Sequence, residues 1–213
     1  MGFRAVLNRP AVYELLQFLF GYRRRLVREF IRPTTGMKIL DIGCGPASIL
    51  KYLPKDVEYV GYDLDARYIA YAQRRFGDRG RFYCASVAQA LQQAQDATGF
   101  DLVMAIGVLH HLDDEDAKQV QAQAWSCLKP GGTLLTHDPI FDPAQSRAAH
   151  FFAAHDRGTH VRTRAQHDAL VQNCFTDVET HILTDMYSVP YTILINRAKK
   201  TPGVEHPAPN RER

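Results

Sequence analysis

Apolar positions along the chain switch between two periods. Met37–Ile42, Val57–Asp63, Arg81–Cys84, Phe100–Ile106 and Thr133–Thr136 are short apolar runs that read as strands. Between them, Ala47–Leu53, Ala66–Phe76, Val87–Gln95 and Asp113–Leu128 carry helical spacing, the last with acids in its first turn. Phe100–Ile106 is apolar apart from Asp101, as expected of a strand buried on both faces of a parallel sheet. Gly77–Gly80 and Lys129-Pro130-Gly131-Gly132 read as turns. This alternation predicts an α/β, doubly wound and mostly parallel sheet. Arg164–Cys174 then reads as a helix, and Thr176–Leu183 with Tyr191–Arg197 as an antiparallel C-terminal hairpin. A single domain over residues 1–198 is expected.

Three stretches depart from the rhythm. Residues 10–31 predict an amphipathic helix, with Val12, Leu15, Leu16, Leu19, Leu26 and Phe30 on one side, Arg23, Arg24, Arg25 and Arg28 on the other, and Pro33 as its stop. It either packs over the sheet or, with residues 1–35, forms a lid whose Tyr13 and Tyr22 face a ligand. Residues 140–163 mix Phe141, Phe151 and Phe152 with His150, His155, Asp156, Arg157, His160 and Arg162. An insertion of that composition after a strand end suits a substrate cap. Residues 199–213, rich in proline and charge, read as a disordered tail.

Composition narrows the classes. The 213 residues are 46% hydrophobic and 23% charged, enough for one sizeable core. A net charge of +3 is too weak to argue for nucleic acid. Four scattered cysteines without a C-x-x-C pair read as buried free thiols in a reducing cytoplasm. No apolar run approaches the ~18 residues of a membrane-spanning helix, and no signal peptide or myristoylation signal is legible. Peripheral membrane contact or a lipid substrate stays open, as does the oligomeric state.

The candidate chemistry lies at the strand ends. Asp41-Ile42-Gly43-Cys44-Gly45-Pro46-Ala47 makes a strand–glycine turn–helix cradle for a nucleoside, and Asp41 invites a cation rather than a pyrophosphate. Asp63, roughly 20 residues further on, sits where a carboxylate binds two ribose hydroxyls. A dinucleotide fingerprint fits less well, because its third glycine falls on Ser48. His110 and His111 follow the fourth strand, and His137 with Asp138 the fifth.

These residues resemble the class I S-adenosylmethionine (SAM)-dependent methyltransferases of the small-molecule kind. The resemblance rests on Asp41–Ala47, Tyr62-Asp63-Leu64-Asp65, Phe100–Val103 with Val108–Leu112, and Leu128–Gly132 in that order, and covers residues 36–140 best. It implies a seven-stranded Rossmann-like sheet and SAM as cofactor. The cofactor would be held by Asp41, Gly43, Cys44, Gly45, Asp63, Leu64, Ser86, Val87, Ile106 and Gly107. Leu64 would pack on the adenine, and the ammonium of SAM would be the cation near Asp41. One departure stands out: the third strand ends in Ala85-Ser86 where the family has Gly-Asp, so adenine selection leans on backbone around Ser86 and Val87.

For the transfer itself the base candidates are His111, His137 and Asp138, with His111 taken as nearer the cofactor. Tyr13, Tyr22, His155, Arg157, His160 and Tyr187 are the candidate substrate contacts. Without an Asn/Asp-Pro-Pro-aromatic motif, a Pro-Cys pair, a basic stripe or tight metal-ligand spacing, base methylation and metal-dependent catechol chemistry are disfavoured. The expected acceptor is a small molecule, at oxygen. A SAM-binding protein without transferase activity and an NAD(P)-dependent oxidoreductase are the alternatives.

Overall fold

The computed structural model of the chain describes residues 22–86, 89 and 98–203. Tyr13, Val87, nearly all of the helix expected over Val87–Gln95 and most of the tail lie outside them. Eight strands are present among the described residues: β1 (Lys38–Ile42), β2 (Glu58–Asp63), β3 (Gly80–Cys84), β4 (Phe100–Ile106), β5 (Leu128–Phe141), β6 (Arg162–Thr163), β7 (Asp177–Leu183) and β8 (Ile193–Lys199). Seven lie in the order β3-β2-β1-β4-β5-β8-β7, and β6 pairs with β5. The pairings from β3 through β5 are parallel; β8 runs antiparallel to both β5 and β7. The chain reverses its winding at β1, which lies between β2 and β4, so the ligand crevice opens beyond the C-terminal ends of those strands.

Strand side chains alternate between two buried layers. Leu40 and Ile42 face a core with Val103, Leu134 and Phe175, whereas Ile39 joins Tyr59, Met104 and Leu135 on the other side. Helices α1 (Tyr22–Leu26, continued by a wider turn over Val27–Ile31), α2 (Ala66–Phe76), α3 (Asp114–Cys127), α4 (Arg147–Ala154) and α5 (Arg164–Gln172) flank the sheet. Their starts follow the chain's chemistry. Asp113 accepts from the Asp116 amide and Ser146 from the Ala149 amide, and Thr163 with Gln166 closes a reciprocal capping box.

Five expectations need correction. Ala47–Leu53 is not a helix: Ala47 is left-handed at φ 53°, and only the single tight turn Ser48–Lys51 fits before Pro54. The fifth strand does not stop at Thr136, because His137, Asp138 and Pro139 stay paired with Ile195, Leu194 and Ile193. Lys129–Gly132 is a bulge within β5 rather than a free turn: Phe100 pairs with Leu128, and Leu102 already with Thr133. The tail begins later than residue 199, since Lys199 ends β8 and the Lys200 ammonium donates to the carbonyls of Trp125 and Leu128. All four cysteines are free, but Cys84 is exposed rather than buried. Among the described residues no helix is long and apolar enough to cross a membrane.

Candidate active site

After β1 the backbone turns through Gly43 (φ 73°) and Gly45 (φ 54°), a region that disfavours residues with a Cβ. The amides of Gly43 and Cys44 donate to the Tyr62 carbonyl at 2.8 and 2.9 Å, fixing the turn against β2. Space is tight as well: a Cβ on Gly43 would lie 2.6 Å from Val108 Cγ2. At the end of β2, Asp63 accepts the Gly45 amide on Oδ2 and the Asp65 amide on Oδ1, each at 2.8 Å. Burial raises its pKa, and these two amide bonds work against that. Each oxygen keeps a further lone pair, so the carboxylate can still accept two hydroxyls.

The cradle borders a cavity of about 700 Å³, well within the roughly 300–1,000 Å³ of small-molecule sites. Gly43, Gly45, Asp63, Leu64, Ile106 and Gly107 line it, together with Tyr62, Tyr68, Ala85 and Val108, which pattern reading did not single out. Leu64 is 71% exposed, an apolar side chain with nothing of the protein over it. Three of the expected cofactor residues sit elsewhere. Asp41 is buried beneath the turn with its carboxylate on the Tyr59 hydroxyl, and burial pushes its pKa up to about 7. Cys44 turns its sulfur toward Gly61, where a Cβ would be 2.8 Å from Sγ. Ser86 closes a local turn with Gln89, Oγ accepting its amide at 3.2 Å, so Ala85 forms the wall there.

Imidazoles and tyrosines line the opposite end. His137 is buried in the wall, stacked on Tyr22 at 5.6 Å, with Nε2 3.4 Å from the Tyr187 hydroxyl. Burial pushes its pKa down to about 4, leaving the ring neutral. Tyr187 packs on Tyr22 at 4.7 Å and on Tyr191 at 6.0 Å. His111 also lines the cavity; burial, then the neighbouring His110, lowers its pKa. His155 and Arg157 complete this end, the former stacked on Phe151 at 4.2 Å.

Asp138 and His160 are absent from these walls. Asp138 is fully buried, and its Oδ1 accepts from both the His110 ring at 2.8 Å and the His110 amide at 3.2 Å. His160 is exposed and contributes its backbone amide to the His110 carbonyl. Arg162, grouped by sequence with the cap charges, is buried: its guanidinium donates to the carbonyls of Leu109 and Leu112 at 2.7 Å and to Asp114 at 2.8 Å. No periodicity signals such a role, since only the folded turn presents those carbonyls.

Fold and site together define a Rossmann-like protein with a glycine turn and a half-buried carboxylate beside a cavity at its topological switch point. Residues 40–134 match the family model of a methyltransferase domain. A Mycobacterium tuberculosis protein named "Probable fatty acid methyltransferase" shares 31% identity over 114 residues, 53% of this chain and 27% of its own length. Phosphoethanolamine N-methyltransferase of Triticum aestivum shares 28% over 157 residues, 71% of this chain and 30% of its own. The chain thus spans less than a third of the length of these relatives. The crystal structure of a SAM dependent methyltransferase from Archaeoglobus fulgidus superposes with a TM-score of 0.68 at 18% identity, covering 88% of this chain and 99% of that one. Residues 40–134 thus carry a methyltransferase domain, on a fold shared with SAM-dependent methyltransferases. The residues present suit that cofactor: a carboxylate with free lone pairs for the ribose, left-handed glycines that admit close approach, and the apolar Leu64, Ala85 and Val108 for a purine.

Proposed function

We propose that the chain methylates a small-molecule acceptor at a hydroxyl, with His111 as the base. The observation that carries this reading is one continuous cavity, bounded by the Gly43–Gly45–Asp63 cradle at one end and by Tyr22, His137 and Tyr187 at the other, with His111 in its wall. SAM, when bound, supplies an electrophilic methyl group on a sulfonium and leaves as the thioether. As the new O–C bond forms, the acceptor oxygen gives up its proton, and His111 takes it. His110 cannot do so, because both its ring nitrogens face carboxylates. His137, with a pKa near 4, is too weak a base at neutral pH. Tyr187 and Tyr22 orient the acceptor, residues 140–163 act as its cap, and α1 closes over the site. Four free cysteines support a reducing, cytoplasmic setting.

An amine acceptor is the second reading. It is favoured by the row of rings Tyr22, Tyr187 and Tyr191, whose faces attract an ammonium group. Calorimetric titration with S-adenosylhomocysteine, followed by turnover with matched hydroxyl and amine acceptors, separates the readings. Affinity for the nucleoside with methylation of hydroxyl acceptors is expected, and His111→Gln should lower kcat at least tenfold. Methylation of amines alone would replace the first reading by the second, and no nucleoside binding would end both.

A further inference from the structure

His110 is an imidazole placed between two carboxylates. Its Nδ1 lies 2.8 Å from Asp138 Oδ1 and its Nε2 3.2 Å from Asp156 Oδ1. A neutral imidazole has one N–H and one lone pair, so it can satisfy only one of these acceptors. With both carboxyls ionised, both contacts are hydrogen bonds only if both nitrogens carry protons. Burial opposes that charge, but the bonds to Asp138 and Asp156 prevail and raise the pKa to about 9. Asp156 is further held by the Gly158 amide at 2.9 Å and the Tyr191 hydroxyl at 2.6 Å. Its carboxyl is kept well below the usual range, since the His110 bond and these two outweigh its burial.

The contacts join three pieces of chain. His110 belongs to the turn after β4, Asp138 to β5, and Asp156 to the loop after α4. The same loop crosses His110 so closely that a Cβ on Gly158 would collide with its ring and carbonyl, and the His160 amide donates to that carbonyl at 2.9 Å. Titratable and charged neighbours are His111 in its own turn, His137 and Asp138 on β5, Asp156 and Arg157 on the loop, Arg162 on β6 and His167 on α5. The nearest ring is His111, whose centroid lies 4.1 Å away.

We propose that His110 is a positioning residue held as an imidazolium, which latches the Asp156 loop to the sheet and keeps the adjacent His111 free of a proton. Two positive rings at that separation repel each other, so the carboxylate-paired ring keeps its proton and the unpaired one yields. The catalytic meaning of this rests on the reading of His111 as base; the latch and the charge coupling do not.

Nitrogen-15 NMR of histidine-labelled protein tests it without turnover. His110 is expected to show the doubly protonated pattern at pH 8, and His111 the neutral one. In His110→Gln the His111 titration should move up by about one pH unit. Should that variant not fold, Asp156→Asn serves: removing one carboxylate should lower the His110 titration by about a unit or more. A neutral His110 at pH 8 in the wild type would overturn the proposal, as would a His111 titration unmoved by His110→Gln or a His110 titration unmoved by Asp156→Asn. The acid limb of the kcat profile should follow His111 in His110→Gln. If the NMR titration moves and that limb does not, the coupling stands and His111 is not the base.

Discussion

The Gly45 amide donates to Asp63 Oδ2 at 2.8 Å, so the acid assigned to the ribose also holds the glycine turn assigned to the rest of the nucleoside. One side chain therefore has two duties, and a substitution there reports on both. Asp63→Asn keeps the shape but has only one acceptor oxygen where Asp63 uses two. It should weaken S-adenosylhomocysteine binding by about tenfold or more, roughly 1.4 kcal/mol, while thermal unfolding shifts by only a few degrees. Calorimetry beside a melting curve checks this; wild-type affinity in a folded variant would remove Asp63 from the site.

Gly43 faces two constraints at once. Its φ of 73° strains any residue with a Cβ, and that Cβ would meet Val108 Cγ2 at 2.6 Å. Gly43→Ala should therefore cost about 1–3 kcal/mol in urea unfolding and weaken the nucleoside further. Pairing it with Val108→Ala relieves the collision but not the backbone strain, so partial recovery of stability is expected. Full recovery would mean that φ at Gly43 is immaterial.

How far the sequence carried the fold depended on whether a segment's surroundings were local. Phe100–Ile106 and Ala66–Phe76 were legible to the residue, because burial on both faces and amphipathic spacing are written in the segment itself. The end of β5 was not. His137-Asp138-Pro139 has the composition of a loop, yet Asp138 Oδ1 is engaged by His110, which is distant in sequence, and the backbone is paired with β8. Asp63 beside the glycine turn was readable from spacing, whereas Arg162 was grouped with the cap charges because nothing local reveals the carbonyls it binds. Asp41 was read for its charge, but the Tyr59 hydroxyl that engages it comes from the next strand.

Arg162 holds the turn that carries His110 and His111. Its guanidinium is nearly buried and donates to Leu109 and Leu112, while its acidic partner Asp114 is 69% exposed. The carbonyl bonds therefore matter more than the ion pair. Arg162→Met should cost about 2–4 kcal/mol by leaving those carbonyls unpaired, and Arg162→Lys about half of that, since one ammonium cannot span the fork. Urea midpoints measure both; Arg162→Met within about 0.5 kcal/mol of wild type, the scale of a usual surface change, would mean that Arg162 does not hold this turn.

Two buried groups should give stability opposite slopes with pH. His137 has a folded pKa near 4 against an ordinary 6.5. Its contribution is therefore complete above 6.5 and is lost as pH falls through 4, on the order of 3 kcal/mol in all. Asp41 has a folded pKa near 7 against 3.8. Its contribution is complete below 3.8 and is lost as pH rises through 7. Each slope can be isolated with its own variant. In urea unfolding from pH 4 to 8, the stability of wild type relative to His137→Phe should fall toward the acid end. Relative to Asp41→Asn it should fall toward the alkaline end. Both folds must survive substitution for the comparison, and Asn keeps a partner for the Tyr59 hydroxyl. Curves for wild type and His137→Phe that run parallel would mean the imidazole is as easily protonated in the fold as in the open chain, and His137 would then rejoin His111 as a candidate base at neutral pH.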